Sequence, residues 1–589
     1  MSYPVFLLLG CVIAALFIGT TSLGAALARR RGIDLAKVGS GGTGFTNCRR
    51  ALGTPLALLV FIFDVSKAAL CMLGYQWLAP TAPLWQSALV GFAVLFGNAV
   101  LKLYTSPEVR ASGGRGLGKG VATSFGVMLV LDTQVAFWAL GVFAAFLLLS
   151  DKRISVGSLA ASLVLPLLLL WAGHDASVVL VGLAMTALIW WRHSDNLFRI
   201  FWGIEPKFGQ KRATRSVATA GFVIHPTKAT AHGRYQQIIA NKPKYRVIPE
   251  WLMTIILPFV PPRFEKAKLS VGTRISLPQG GRASVDILYR TVFLSAQQLS
   301  SKNPIKIWWG LRSVLQAIML LHYDGVEIVG LGAFTSIVGW KGKGVDLTKI
   351  LAQAGFTNVL LTTGNVGTAV LSALEGLNLY RKARNVPEGE QLGADHVVSV
   401  VGATGSVGQA LVAYLRQLNP SLRIRAYGRD LNKLRAAFPG HKADCNLLLT
   451  SDQFEAQQCG LVFVAVSATS GLDFQHLLTG AIVVDVSRPR VVASSLQNRP
   501  EVLVIDGGLG EPPGNHSHGF LSGLPNGVLY GCTLETAVLA AAFRHGLLTP
   551  SHRSIGEYNG ADLDEVWRLA SSMGFKVLPM PRLNDQLLN

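Results

Sequence analysis

The stretch Arg192–Arg212, RHSDNLFRIFWGIEPKFGQKR, divides this chain in two. Upstream, apolar runs crowd together. Downstream, the composition is that of an ordinary soluble protein. The stretch itself carries His193, Asn196, Arg199 and Lys207 beside Gly203 and Pro206, so it is polar enough to be a site as well as a boundary.

Working back from it, the run that begins MSYPVFLLLGCVIAALFIG is longer than a signal-peptide core and has no basic residue ahead of it. It reads as a retained transmembrane helix. Further apolar runs lie near 54–78, 84–103, 120–131, 134–149, 154–172 and 176–191, making about seven spans of about 20 residues each. The loop charges alternate. Arg29, Arg30, Arg31, Lys37, Arg49 and Arg50 fill the first loop, Arg110, Arg115 and Lys119 the third, and Lys152 and Arg153 the fifth. The loops between carry no Lys or Arg. Positive-inside bias puts the odd loops in the cytoplasm and the N-terminus outside, which leaves the region beyond Arg212 cytoplasmic.

A formal net charge of +21 raises the question of nucleic acid. Such binding needs basic residues interleaved with aromatics on a polar domain. Here much of the positive charge sits in short loops between apolar runs, so no nucleic-acid partner is expected. Six cysteines without CxxC spacing speak against a disulfide framework or a zinc site, and no metal is expected.

The inner loops are rich in glycine and hydroxyls. Residues 38–51 read VGSGGTGFTNCRRA and residues 112–125 read SGGRGLGKGVATSF. Such backbone lets N–H groups converge on an anion beside Arg and Lys. Snorkelling anchors and tight turns are the bland alternative. Three segments, Gly39–Arg50, Gly116–Thr123 and His193–Lys207, together resemble the motifs of the bacterial membrane acyl-phosphate:glycerol-3-phosphate acyltransferases. That family transfers an acyl group from acyl phosphate to the 1-hydroxyl of glycerol 3-phosphate, giving lysophosphatidate. The resemblance implies Ser40, Lys119, His193 and Asn196 as catalytic, with Thr46, Asn47, Arg50 and Arg199 lining the substrates. Departures fall at Gly42, Phe45 and Asn98. A membrane bundle that has become an inactive anchor is the alternative.

Downstream, Val217–Pro226 reads as a buried strand, 247–262 as a core or interfacial helix too short and Pro-rich to span a bilayer, and 305–323 as a helix. Thr362, Thr363 and Asn365 precede a helical pattern and read most simply as caps. His396–Val401 is a buried strand running into Gly402-ATGSV-Gly408 and then into a helix, the context of a dinucleotide fingerprint. Gly402, Thr404, Gly405, Ser406, Val407 and Gly408 would cradle the pyrophosphate. Arg429 ends the second strand, where an acid would grip an unphosphorylated ribose, so NADPH is favoured. Cys532 sits where a loop enters a helix, a position that favours a thiolate. A buried small hydrophobe is the alternative there. Glu535 reads as serving that helix's N-terminus.

From about 217 onward, Leu331-GAFTSI-Val338, Thr362-TG-Asn365, Gly402-ATGSV-Gly408, Asp506-GG with Glu511, Tyr530-GCTLE-Thr536 and Met573-GFKVL-Pro579 resemble the cyanobacterial-type long-chain fatty acyl-ACP reductases. The resemblance implies Cys532 as the acylated nucleophile, NADPH as hydride donor, acyl-ACP or acyl-CoA as substrate, and Thr362, Thr363 and Asn365 at the substrate. Pro512 replaces the family's His. A non-catalytic nucleotide sensor is the alternative.

The expected architecture is a membrane α-helical bundle at 1–212, a linker and small α/β substrate domain at 213–395, and a Rossmann-type NADP-binding domain with a C-terminal helical segment at 396–589. The expected location is a bacterial inner membrane, multi-pass.

Overall fold

A computed structural model describes residues 3–39, 41–102, 117–225, 265–292, 294, 296–387, 390–466, 472–487, 490–492, 496, 499–513, 524, 527–556, 558, 560–578, 580–583 and 586–587. Ser40 and the segments 103–116 and 247–262 lie outside them. The chain forms two compact units, Met1–Lys211 and Arg212–Asn589.

Each apolar run named above contains a helix. Among the described residues, four are long and apolar enough to cross a membrane: Pro4–Arg30, Thr54–Leu78, Leu84–Leu101 and Ile154–Trp171. A fifth is added if the bent pair Ala176–Arg192 and Ser194–Phe201 counts as one span. Val121–Leu131 and Thr133–Leu149 are shorter. Eleven residues at 1.5 Å rise give Val121–Leu131 about 16 Å, roughly half a hydrocarbon core. The count of seven therefore comes down to four or five by length. Large apolar side chains point outward, Trp77 at 81% and Leu149 at 80% exposure, as a lipid-facing surface requires.

Helices in lipid associate by close packing of small residues. The first helix meets Leu84–Phe96 in this way. A Cβ on Gly97 would lie 2.1 Å from Leu16 O, and one on Gly19 would lie 2.2 Å from Val94 O. Directly after this crossing, Gly97–Leu101 widens into a π-turn, which re-aims Asn98 toward Thr123.

The second unit holds two main sheets. The first runs Glu265–Ser276, Arg282–Thr291, Ala218–Ile224, Ile328–Leu331, Leu361–Thr362, and is parallel except at its first pair. The second runs Gln586–Leu587, Met580–Leu583, Leu503–Asp506, Ile482–Asp485, Leu461–Val464, Val397–Val401, Arg423–Tyr427, Leu447–Thr450. Its six strands from Leu503–Asp506 onward are parallel, as a doubly wound sheet requires. The central strands Ile328–Leu331, Leu461–Val464 and Ile482–Asp485 are buried along their whole length, as strands covered on both faces are.

The cores cross the order of the sequence. Helix Asn365–Ala383 packs into the second sheet's core beside Val398, Val400 and Phe463. Helix Gly531–Arg544 follows the six parallel strands of that sheet in the chain, yet buries Leu534, Ala537, Val538 and Ala541 against Ala220, Phe222 and Ile287 of the first. This return of the chain brings Cys532 against the turn at Gly364.

Candidate active sites

In the first unit the polar residues gather around Glu205. Helix Ala176–Arg192 stops at His193 and restarts as Ser194–Phe201 at 61°. The bend brings residues 193–199 of the short helix back toward Glu205. Glu205 Oε1 accepts from Asn196 Nδ2 at 2.8 Å and from Ser155 Oγ at 2.8 Å. Its Oε2 accepts from Arg199 Nε at 2.7 Å, in an ion pair whose side chains are 11% and 8% exposed. Arg153 Nε donates to the Glu205 backbone carbonyl at 3.2 Å. With its amide nitrogen committed to Glu205, Asn196 turns its oxygen to Lys119, whose ammonium donates to it. Burial, then the neighbouring Arg199 charge, lowers the Lys119 pKa to about 8, against the opposing pull of Glu205 and Asp195. His193 is buried at 3% exposure, and its Nδ1 lies 2.8 Å from Ile189 O. A carbonyl only accepts, so Nδ1 carries the hydrogen and Nε2 is the atom with a lone pair.

The first motif folds differently from its reading as a set of anion donors. Asn47 Nδ2 donates to Leu35 O at 3.2 Å and Gly42 O at 2.8 Å, so this amide closes its own loop. Thr46 is half-buried in the first turn of helix Phe45–Leu52. Arg50 is exposed, and its guanidinium would lie 2.9 Å from a Cβ on Gly39. Ser40 falls outside the described residues. Arg49, which the sequence reading passed over as one more loop charge, places its guanidinium 4.1 Å from the Phe208 ring centroid. That stack ties the first motif to the end of the third. Ser155 and Glu205 also went unremarked. The only sequence signal for Glu205 is its place inside the third motif, and Ser155 reads as one more small residue in an apolar run.

In the second unit Cys532 is the second residue of helix Gly531–Arg544. The turn Thr362–Asn365 lies directly on it. Gly364 has φ +67 and no room for a side chain, because a Cβ would lie 2.4 Å from Cys532 Cα. The cap reading of this turn is corrected: the N-cap of Asn365–Ala383 is Gly364, which makes no side-chain cap bond. Thr362 Oγ1 instead donates to Glu535 Oε1 at 2.5 Å, and Thr363 Oγ1 to Ser554 O at 2.7 Å. Asn365 Nδ2 donates to Ser406 Oγ at 3.1 Å and Tyr558 Oη at 2.9 Å. Glu535, fully buried, does not cap its own helix. It accepts from Thr362, from Ser554 Oγ at 2.8 Å and from Gly367 N at 2.7 Å. It thus serves the N-terminus of the neighbouring helix and clamps the turn to the helix of Cys532.

Through Asn365 and Ser406 the same turn reaches the glycine turn. Gly402 has φ +88, and a Cβ there would lie 2.4 Å from Ala465 O. Gly402 N and Ala403 N donate to Tyr427 O at 3.1 and 3.0 Å, and Thr404 O accepts from Gln409 Nε2 at 2.9 Å. Gly405 is the N-cap of helix Ser406–Leu418, and Gly408 packs on the turn, where a Cβ would lie 2.3 Å from Gly402 O. Val407 joins the apolar core. The result is bare backbone leading into a helix N-terminus, which fits a pyrophosphate. Arg429 is exposed at the end of strand Arg423–Tyr427. Beside it, Asp430 spends Oδ1 as the N-cap of Leu431–Ala437, accepting from Asn432 N at 2.9 Å and Lys433 N at 3.1 Å.

Known proteins match each unit separately. The glycerol-3-phosphate acyltransferase family profile matches residues 9–203. A glycerol-3-phosphate acyltransferase of Parasynechococcus marenigrum is 39% identical over 183 residues, covering 31% of this chain and 80% of that protein. The chain belongs to the glycerol-3-phosphate acyltransferase family. Another member, from Thermus thermophilus, is 36% identical over 204 residues, 35% of this chain and 96% of its own length. A crystal structure of an integral membrane glycerol 3-phosphate acyltransferase in its glycerol 3-phosphate form is 32% identical and covers 34% of this chain and 96% of that one, with a TM-score of 0.31. The second unit carries a match of its own. Residues 397–494 match the NAD-binding domain of semialdehyde dehydrogenases, so a dehydrogenase-like domain for a nicotinamide dinucleotide follows the membrane domain.

Proposed function

We propose that the membrane unit transfers an acyl group from acyl phosphate to the 1-hydroxyl of glycerol 3-phosphate, forming lysophosphatidate at the cytoplasmic face of a bacterial inner membrane. The observation that carries this reading is the linked set in which Asn196 and Arg199 bond Glu205 and Lys119 bonds Asn196, within electrostatic reach of His193. Both substrates are phosphate anions, and Lys119 and Arg199 supply fixed cations for them. His193 Nε2, its tautomer held by Ile189, accepts the proton of the attacking hydroxyl. Charge then builds on the departing phosphate, where the Lys119 ammonium stabilises it. Glu205 touches no substrate in this scheme and orients Asn196 and Arg199. The test is purified protein given a long-chain acyl phosphate and glycerol 3-phosphate. Lysophosphatidate must appear, and its absence under conditions where a family member of established activity turns over would refute the reading and leave the bundle an anchor.

The second unit, on this proposal, reduces a long-chain acyl thioester to a fatty aldehyde through an acyl-Cys532 intermediate. NADPH bound at Gly402–Gly408 supplies the hydride. The turn Thr362–Asn365 supports this reading, since it touches Cys532 at Gly364 and Ser406 through Asn365. Asp430, held as a helix cap, leaves Arg429 to meet a 2′-phosphate, hence NADPH over NADH. Consumption of NADPH with acyl-ACP or acyl-CoA, lost in Cys532→Ser, tests it.

A further inference from the structure

We propose that Arg192 is a binding residue of the membrane unit, its guanidinium taking the phosphate of the acyl donor where that amphiphile passes from lipid into the site. The inference deepens the acyltransferase reading of this unit and rests on it. Arg192 ends the apolar helix Ala176–Arg192, and His193 follows it at the 61° bend. Its guanidinium lies 5.6 Å from the ring centroid of Trp191, which is 55% exposed. A large exposed aromatic at the end of an apolar helix belongs to the headgroup level of a bilayer. Arg192 is also within electrostatic reach of both Lys119 and His193. It therefore borders the lipid-facing surface and the buried set around Glu205 at once.

The neighbouring cations are committed inside the protein. Arg199 Nε bonds Glu205, and the Lys119 ammonium donates to Asn196. Arg192 Nε is different: it is buried and meets no acceptor among the described residues. Asp195 lies within electrostatic reach of Arg192, but that carboxylate is exposed and hydrated. Trp190 Nε1 repeats the pattern. It too is buried without an acceptor, and it stands one helical turn before His193. A buried donor left unmet is costly, and a native structure keeps one where something else supplies the acceptor. Unmet donors on Trp190 and Arg192, in one turn beside Lys119 and His193, call for an oxyanion that comes from outside the chain.

Polarity decides which phosphate that is. Glycerol 3-phosphate is hydrophilic throughout and arrives from water. An acyl phosphate keeps its chain in the bilayer and its phosphate at the interface, the level of a cation stacked on an interfacial tryptophan. A guanidinium suits the task. It offers phosphate two parallel N–H···O bonds, and it stays charged at any pH the enzyme meets. The headgroup of an anionic phospholipid presents the same chemistry to a snorkelling arginine, so the experiment has an arm for each source.

The full chain in dodecyl maltoside, without added lipid, is given palmitoyl phosphate and glycerol 3-phosphate, each varied in turn. Arg192→Met is expected to raise the KM for palmitoyl phosphate roughly 10–100-fold, the effect of losing one charge-assisted contact. The KM for glycerol 3-phosphate and kcat should change little. Arg192→Lys should recover part of the loss, since it returns the charge without the fork. A fall in kcat alone, or an equal rise in both KM values, overturns the proposal and leaves Arg192 a structural residue. The assays are then repeated in phosphatidylcholine vesicles with and without phosphatidylglycerol. An effect of Arg192→Met that appears only with phosphatidylglycerol also overturns it and assigns the arginine to lipid headgroups. Calorimetric binding of the ketophosphonate in which CH2 replaces the bridging oxygen of palmitoyl phosphate separates this inference from the reading beneath it. If the phosphonate binds, binding weakens in Arg192→Met, and the wild type makes no lysophosphatidate, the inference stands and the acyltransferase reading fails. If lysophosphatidate forms and Arg192→Met leaves the KM for palmitoyl phosphate unmoved, the inference fails and the reading stands. Equal phosphonate binding by both proteins overturns the inference whatever the turnover.

Discussion

The two polar centres of this chain are assembled in opposite ways. Around Glu205, the short segment 193–205 supplies His193, Asn196, Arg199 and the carboxylate itself, joined by Lys119 ahead of helix Val121–Leu131 and Ser155 in the first turn of helix Ile154–Trp171. Around Cys532, the parts come from 362–367, 406, 532–535 and 554–558, brought together by two sheets and a returning helix. The first arrangement makes a site from a local bend in a helix. The second makes one from tertiary structure. A local site is readable from a motif and sensitive to single side chains. A tertiary site also depends on the residues that hold its pieces in register.

The largest effect separates the two centres outright. Cys532→Ser should lower aldehyde formation by at least about 10⁴-fold, as removal of a nucleophile does, with lysophosphatidate formation unchanged. If reduction survives, the second centre is not built on this thiol. Next, Lys119→Met should cost acyl transfer roughly 10²–10³-fold and leave reduction intact. Its titration sharpens the point. A lysine lowered to about 8 is charged below that pH and neutral above it. Acyl transfer should therefore fall as pH rises through about 8, two units before an ordinary lysine would lose its charge. Lys119→Arg should remove that alkaline limb, and a pH–rate profile in which the variant keeps it would assign the limb to another group.

Smaller effects probe the supports. Arg429→Ala should reduce the preference for NADPH over NADH about tenfold, read from the ratio of kcat/KM values, through loss of a charge-assisted contact. An unchanged ratio would mean that Arg429 does not meet the 2′-phosphate. Smallest in rate but clearest in stability, Glu535→Ala removes the acceptor shared by Thr362 Oγ1, Ser554 Oγ and Gly367 N. It should destabilise the second unit by about 1–3 kcal/mol, the cost of a buried unsatisfied group. Calorimetry on the full chain should then show one transition moved down and the other fixed. Equal movement of both would contradict independent units.

The same contrast explains what was legible beforehand. The third motif could be read because its polar residues are close in sequence and the bend occurs within it. The glycine turn after Val397–Val401 could be read because strand, turn and helix are consecutive. Asn47 reads as a substrate-lining donor, yet its amide nitrogen meets two loop carbonyls, because a side-chain amide suits an anion and a carbonyl equally. Thr362, Thr363 and Asn365 resembled caps because the acceptors they meet, at Ser406, Glu535, Ser554 and Tyr558, are 41 to 193 residues away. Tyr558 and Ser554 carried no pattern at all. Helix length also misled. Val121–Leu131 continues an apolar run but holds only 11 residues of helix.

The helix of Cys532 has a consequence for how this protein is made. The first sheet of the second unit begins at Ala218, while the helix that covers Ala220, Phe222 and Ile287 begins at Gly531. Roughly 300 residues of synthesis, at about 5–20 residues per second, separate the two by about 15–60 s. Throughout that interval an apolar sheet face waits on the ribosome without its cover, tethered to a domain already bound for the membrane. Premature termination before residue 531 would release a chain with its bilayer segments complete and that face bare, a product suited to aggregation at the membrane surface and to removal by proteases.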